Sequence, residues 1–211
     1  MQDATTLAKT GYHHGNLKPA LVAAADAIIR DRGIEGFSLR EAARRAGVSI
    51  GAPAHHFGSA TGLLTEVALL GYDSLGEALN AVIVSDDPAR DLRELALAYV
   101  RCALDHPGRF RLMFRPDLVN RDDPRYAEAS SRALTGFAGA IARRDGASAD
   151  TMADIFLVWS SIHGMANLVL DGKAKYLFEG ATAEAFARDI LPRILAQSWP
   201  FGASEQSPDE R

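Results

Sequence analysis

Residues 38–57 read SLREAARRAGVSIGAPAHHF, and this stretch decides the fold. Ser38 with Glu41 three residues on is a capping box, opening a short helix through Ala46. Gly47 supplies a turn, and Ser49 caps a second short helix through His56. Ala43 is small where the two helices cross closely, while Leu39, Val48 and Phe57 fill the core behind the turn. Ile50, Gly51, Ala52, Ala54 and His55 are left facing outward. The pattern is that of a helix-turn-helix, because a major groove about 12 Å wide admits one α-helix and the turn fixes how that helix is offered.

On either side the chain continues as helices. Asn16 is an N-cap for a helix over residues 17–32, with Pro19 tolerated in its first turn and Leu17, Leu21, Ala25, Ile28 and Ile29 on one face. Gly33 ends it. Ser59 starts a helix that runs to Val84, and further helices are expected over 88–105, 107–115, 124–144, 149–170 and 182–199. No period-2 pattern flanked by hairpin turns occurs. The expected fold class is all-α: an N-terminal three-helix unit with a helix-turn-helix, followed by a C-terminal helical bundle. A flexible arm is expected at 1–13 and a flexible tail at 201–211.

Composition agrees with a soluble globular chain, at 47% hydrophobic and 24% charged over 211 residues. The single cysteine, Cys102, rules out an internal disulfide framework or a multi-thiolate metal site. The start, MQDATTLAKTGYHHGNL, lacks an apolar h-region, and no apolar run approaches the length of a membrane span, so a cytoplasmic location is expected. The net charge of −4 is unevenly spread. Residues 1–60 hold seven Lys/Arg against five acids, which leaves the other 151 residues at −6. That asymmetry leans toward a nucleic-acid contact at the N-terminal end.

The block from Asn16 onward, AARRAGVS at 42–49, HHF at 55–57 and GLL at 62–64 resembles the TetR family of bacterial transcriptional regulators. The resemblance implies a homodimeric, ligand-responsive repressor whose two recognition helices read a palindromic double-stranded operator, released by a small, largely apolar effector. It implies a DNA-binding domain at 14–74 and an effector-binding and dimerisation domain at 75–200. The residues themselves lead to the expectation of no cofactor, no metal and no membrane partner. Carried over by position, the DNA-facing set is Ser38, Arg40, Ser49, Ile50, Gly51, Ala52, Ala54, His55 and His56, with Ala60 beyond it. Two positions depart from the family pattern, which commonly has tyrosine where Ala54 stands and lysine where Ala60 stands, both phosphate contacts. Arg40, Arg44, Arg45 or an arm of Lys9, His13 and His14 is left to supply that grip. Ile50 and Ala52 can read thymine methyls but cannot bond guanine bidentately, so a modest, A·T-leaning readout is expected.

Downstream, residues 155–170 read IFLVWSSIHGMANLVL. Trp159 and His163 lie one turn apart on a shared face, and Gly164 allows another helix to approach. With GRFRLMF at 108–114, this segment resembles a TetR subgroup marked by Trp, His and Gly in its penultimate helix. Phe110, Met113, Phe114, Phe137, Trp159 and His163 are the expected lining of an apolar effector cavity with one polar anchor. The alternative for each is an ordinary place in the bundle core. Dimerisation is expected through 149–170 and 182–199.

Enzyme chemistry is not expected. His55 and His56 point about 100° apart on a helix, with no carboxylate at ligand spacing, and no phosphate loop, nucleophile elbow or CxxC is present. The competing reading is a helical ligand-binding or interaction protein that has weakened or lost operator binding.

Overall fold

The computed structural model describes residues 17–145 and 151–197, and among them every regular element is helical. The order is α1 (Leu17–Arg32), α2 (Leu39–Ala46), α3 (Ala52–Phe57), α4 (Ala60–Asn80), α5 (Pro88–Asp105), α6 (Pro107–Met113), α7 (Pro124–Asp145), α8 (Thr151–Leu170), α9 (Ala174–Leu177), α10 (Ala183–Ala185) and α11 (Leu191–Ala196). The all-α expectation holds. The expected Asn16 cap, the arm with Lys9, His13 and His14, the start of the 149–170 helix, and the tail beyond Trp199 lie outside the described residues.

The face of α1 is as the periodicity predicts: Leu21, Ala25, Ile28 and Ile29 are buried and Leu17 packs beside them. Ala42 and Ala43 of α2 are fully buried, and Leu39, Val48 and Phe57 close the same core from its edge. Gly47 adopts φ 68°, ψ 31° and its N–H bonds the Ala43 carbonyl, so a residue free to be left-handed ends α2. Gly62 is required for a different reason. A Cβ there would lie 2.0 Å from the Phe57 carbonyl oxygen, so only glycine lets α4 begin this close behind α3.

α4 is the common wall. It packs against α1 and α3 on one side and against α5, α6 and α7 on the other. It stops at Asn80, short of the expected Val84. The cause is a competing polar site: the buried Asp91 carboxylate accepts from the Ser85 N–H at 3.1 Å, the Ser85 hydroxyl at 2.7 Å and Arg143 at 2.8 Å. Ser85, then Arg143, hold that carboxyl below the ordinary aspartate range. Asp87 then caps α5 by accepting from the Arg90 N–H at 2.9 Å.

The expected helix over 182–199 is divided. Thr182 caps α10, a π-helical turn follows at Phe186–Ile190, and α11 begins at Leu191. Pro192 has no N–H to offer the carbonyl one turn back, so the backbone before it opens. Its large side chains, Phe186, Leu191 and Leu195, turn inward.

α8 keeps large apolar side chains on its outer face. Met152–Leu170 has a mean hydropathy of 1.3 over 19 residues, long and apolar enough by length and composition to cross a membrane, contrary to the sequence reading. One face of α8 packs on α5 and α7. The other presents Met152, Phe156, Leu157 and Leu168 to solvent.

Candidate nucleic-acid interface and effector cavity

The reading head is built from α2, the turn after it, and α3. Ser38 is exposed and its hydroxyl accepts from the Glu41 N–H at 3.2 Å, which is half of the expected capping box. The other half is absent because the Glu41 carboxylate is taken by arginines: Arg44 at 2.7 and 2.8 Å and Arg45 at 3.2 Å. The Arg44 bonds, reinforced by Arg45, lower the Glu41 carboxyl to about 2. Arg45 also donates to Asp31 at 2.8 Å. Arg44 and Arg45 are thus committed within the protein. Arg40 is exposed and has no ion-pair partner among the described residues.

α3 starts later than its sequence suggests. Ser49 and Ile50 sit in the turn, where the Ser49 carbonyl accepts from the Ala52 N–H at 3.0 Å, and Gly51 is the N-cap. Pro53 explains the shift: it is buried in the first helical turn, where a fixed φ and a missing N–H cost least. Ser49, Ile50, Gly51, Ala54 and His55 are exposed, with Ile50 at 65% relative exposure; Ala52 and His56 are half-buried. Ala60, at the start of α4, is exposed as well. This exposed set contains no carboxylate, and its large apolar tip is Ile50. Sequence reasoning missed Lys18, whose ammonium lies 6.0 Å from the Phe57 ring centroid and brings a cation from α1 to the end of α3. Its place in the first turn of a neighbouring helix was the available signal.

The aromatic set divides into three roles. Met113, Phe114 and Trp159 line a cavity of about 560 Å³ together with Tyr72 and Leu75 of α4, Tyr99 of α5, and Tyr126 and Leu134 of α7. Phe110 and Phe137 are core residues, 3% and 1% exposed, and form edge-to-face contacts with Tyr99. His163 does not line this cavity. It shares a 3.0 Å hydrogen bond with the Tyr99 hydroxyl, and burial lowers its pKa. It faces a second cleft of about 580 Å³, bounded by Ile29 and Arg30 of α1, Arg111 of α6 and Asn167. Phe114 borders both spaces, with its ring 4.3 Å from that of His163. The tyrosines were missed because α4, α5 and α7 meet only in the folded chain. Tyr126, Ala133 and Leu134 do recur at helical spacing on α7, a signal that was available.

α6 joins the cavity to the reading head. Its last carbonyl, that of Met113, accepts from the Tyr72 hydroxyl at 3.4 Å and from the Tyr126 hydroxyl. Four residues earlier, Arg109 donates to both Asp26 oxygens of α1 at 2.7 and 2.6 Å and to the Ser74 hydroxyl of α4 at 3.1 Å. Two glycines allow this closeness: a Cβ on Gly108 would lie 2.7 Å from Ile29, and one on Gly71 would lie 2.6 Å from the Met113 sulfur. The Cys102 thiol is buried, which pushes it up to about 11, so it is unreactive at neutral pH.

A helix-turn-helix that shares the long α4 with a helical bundle carrying its own cavity is the layout of a transcription regulator. The chain belongs to the TetR family. Residues 21–67 match the family model described as bacterial regulatory proteins, tetR family, and residues 92–191 match the tetracyclin repressor-like, C-terminal domain. Among solved structures, a Rhodococcus protein of unknown function is 28% identical, with 90% of this chain and 100% of that one covered at TM-score 0.69. The TetR family regulator PfmR of Thermus thermophilus is 22% identical, with 83% and 97% covered at TM-score 0.61. AibR, solved with isovaleryl coenzyme A and operator DNA, is 19% identical, with 83% and 96% covered at TM-score 0.60. No curated protein matches. Members of the family are bacterial regulatory proteins, not enzymes.

Proposed function

We propose that the chain is a homodimeric repressor that holds a palindromic operator and lets go when a small, largely apolar molecule fills the 560 Å³ cavity. The observation that carries this reading is α6. One end of that helix forms cavity wall at Met113, and its middle is tied by Arg109 to Asp26 on α1 and Ser74 on α4. A ligand that moves the Met113 end therefore strains the helices that carry the reading head. AibR, with an acyl-thioester and DNA on the same fold, supports the coupling of two such sites. The effector anchor moves from His163, as expected from sequence, to the tyrosine-lined cavity.

On this reading residues 14–74 read DNA and 75–200 sense and dimerise, with the division falling inside the continuous α4. Ser38, Arg40, Ser49, Ile50, Gly51, Ala52, Ala54, His55 and His56 form the operator face, and the protein works in the cytoplasm where its DNA is. Replacing Arg40 and His55 together with alanine is expected to lower specific binding to the DNA upstream of the gene by at least tenfold. The same variant should flatten the slope of log K against log salt by about 2 per dimer, one lost phosphate contact per half-site. Fluorescence anisotropy at several salt concentrations measures both. If the wild-type protein shows no specific binding, the interaction-protein reading takes its place.

A further inference from the structure

We propose that the occupant of the tyrosine-lined cavity is an amphipathic anion of the carboxylate class, and that Arg121 is its counter-ion. The inference rests on the effector-cavity reading above and adds the chemical class of ligand to it.

Arg121 lies in the loop between α6 and α7 and is the one charged residue lining the cavity. No carboxylate faces that space. Two hydroxyls, Ser130 and Ser131, also line it, and that of Ser130 donates to the Ala127 carbonyl. Tyr72 and Tyr126 give their hydroxyls to the Met113 carbonyl, and Tyr99 shares its hydroxyl with His163. An occupant therefore meets apolar surface from Leu75, Met113, Leu134 and Trp159, and a charged end has one counter-charge to meet, Arg121.

The neighbours of Arg121 sharpen the point. Arg115 is paired with Asp117 at 2.8 Å, and Arg125 with Asp123 at 2.7 Å and Glu66 at 2.6 Å. Arg121 has no ion pair among the described residues and is exposed at the rim. Asp122, next in the chain, lines a separate groove beside Phe57 and Ser59 that Arg121 also borders. A guanidinium presents a planar fork of donors that matches a carboxylate, so a charged head at the rim and an apolar body inside satisfy both halves of the site.

The position also suits control. The N–H of Asn120 bonds the buried Thr65 hydroxyl of α4 at 2.8 Å, and Thr65 in turn bonds the Thr61 carbonyl. A ligand that draws on Arg121 pulls a loop clipped to the first turns of α4, directly behind α3.

The test uses the full-length protein, calorimetry and Trp159 fluorescence, with octanoate, decanoate and 3-phenylpropanoate against their matched primary alcohols. At least one carboxylate should bind tenfold or more tighter than its alcohol. Arg121→Ala should remove that preference while leaving the alcohol within twofold of wild type, and Arg121→Lys should retain part of it. An unchanged melting temperature in Arg121→Ala shows that the fold is intact. Equal affinity for acids and alcohols, or an acid preference that survives Arg121→Ala, overturns the counter-ion role and leaves the cavity reading standing. If neither series binds or perturbs Trp159, both fall together.

Discussion

The double substitution Phe156→Arg/Leu168→Arg should leave a folded monomer that no longer holds an inverted-repeat DNA site. Residues 152, 156, 160, 164 and 168 form one i, i+4 ridge along α8, with Phe156 and Leu168 at 65% and 52% exposure. The centre of the ridge is small: Ser160 is exposed, and a Cβ on Gly164 would meet nothing within 4 Å. A second α8 can therefore lie close across the middle while the larger side chains interdigitate at either end. Burying a Phe or Leu side chain is worth about 1.5–3 kcal/mol. Two such residues on each protomer make four per dimer, so their loss removes roughly 6–12 kcal/mol. Arginine in their place adds buried charge.

Two tethered reading heads gain about 10²–10⁴ in avidity over one. The variant should lose DNA affinity by a factor in that range, with a monomeric mass by light scattering. These side chains point outward, so helicity and melting of the protomer should hold. A dimeric mass, or unaltered DNA affinity, would contradict an interface on α8.

The second large effect concerns Asp26→Ala. Asp26 and Arg109 have side chains 14% and 22% exposed and meet in two short hydrogen bonds. Removing the carboxylate leaves the guanidinium with only the Ser74 hydroxyl among its described partners. Breaking one side of a sheltered pair costs about 3 kcal/mol. For a chain of this size that corresponds to a fall of roughly 6–12 °C in melting temperature. The double variant Asp26→Ala/Arg109→Met should regain much of that loss, because a packed apolar side chain replaces an unpaired charge. It should not regain control: its DNA affinity should stop responding to any ligand that perturbs Trp159. If it responds like wild type, α6 is not the link between cavity and reading head.

Much of this was legible in the sequence wherever local chemistry decides the outcome. Ser38, Gly47 and Ser59 act as the caps and turn their residue types predict, and the buried face of α1 follows its periodicity. The errors arose where a side chain within a turn or two competed for the same group. Glu41 gives its carboxylate to Arg44 and Arg45 instead of closing the capping box, and Ser85 is held by Asp91 beyond an α4 that ends at Asn80 rather than Val84. Local reading also failed twice at prolines. Pro53 set the start of α3 at Ala52 rather than after Ser49, and Pro192 opened a π turn in a stretch that otherwise reads as one helix.

The lining of the candidate cavity was half legible. Trp159, Met113 and Phe114 line the cavity, but Phe110 and Phe137 pack beneath it and His163 faces the neighbouring cleft. No periodicity within one helix reveals which of several aromatic faces encloses space. That is decided by how α4, α5 and α7 diverge around Tyr72, Tyr99 and Tyr126. Arg121 sits in a loop and carries no sequence signal at all.

On the proposed function, two copies of α3, held apart by an α8 interface, read duplex DNA together. The decisive experiment is selection of binding sites from random duplex DNA by the full-length protein. It should enrich an inverted repeat whose half-sites are centred about 34–36 Å, or a multiple of one DNA turn, apart. Its half-sites should lean toward A·T where Ile50 and Ala52 approach thymine methyls. Enrichment of a lone half-site, or of no sequence at all, would contradict it.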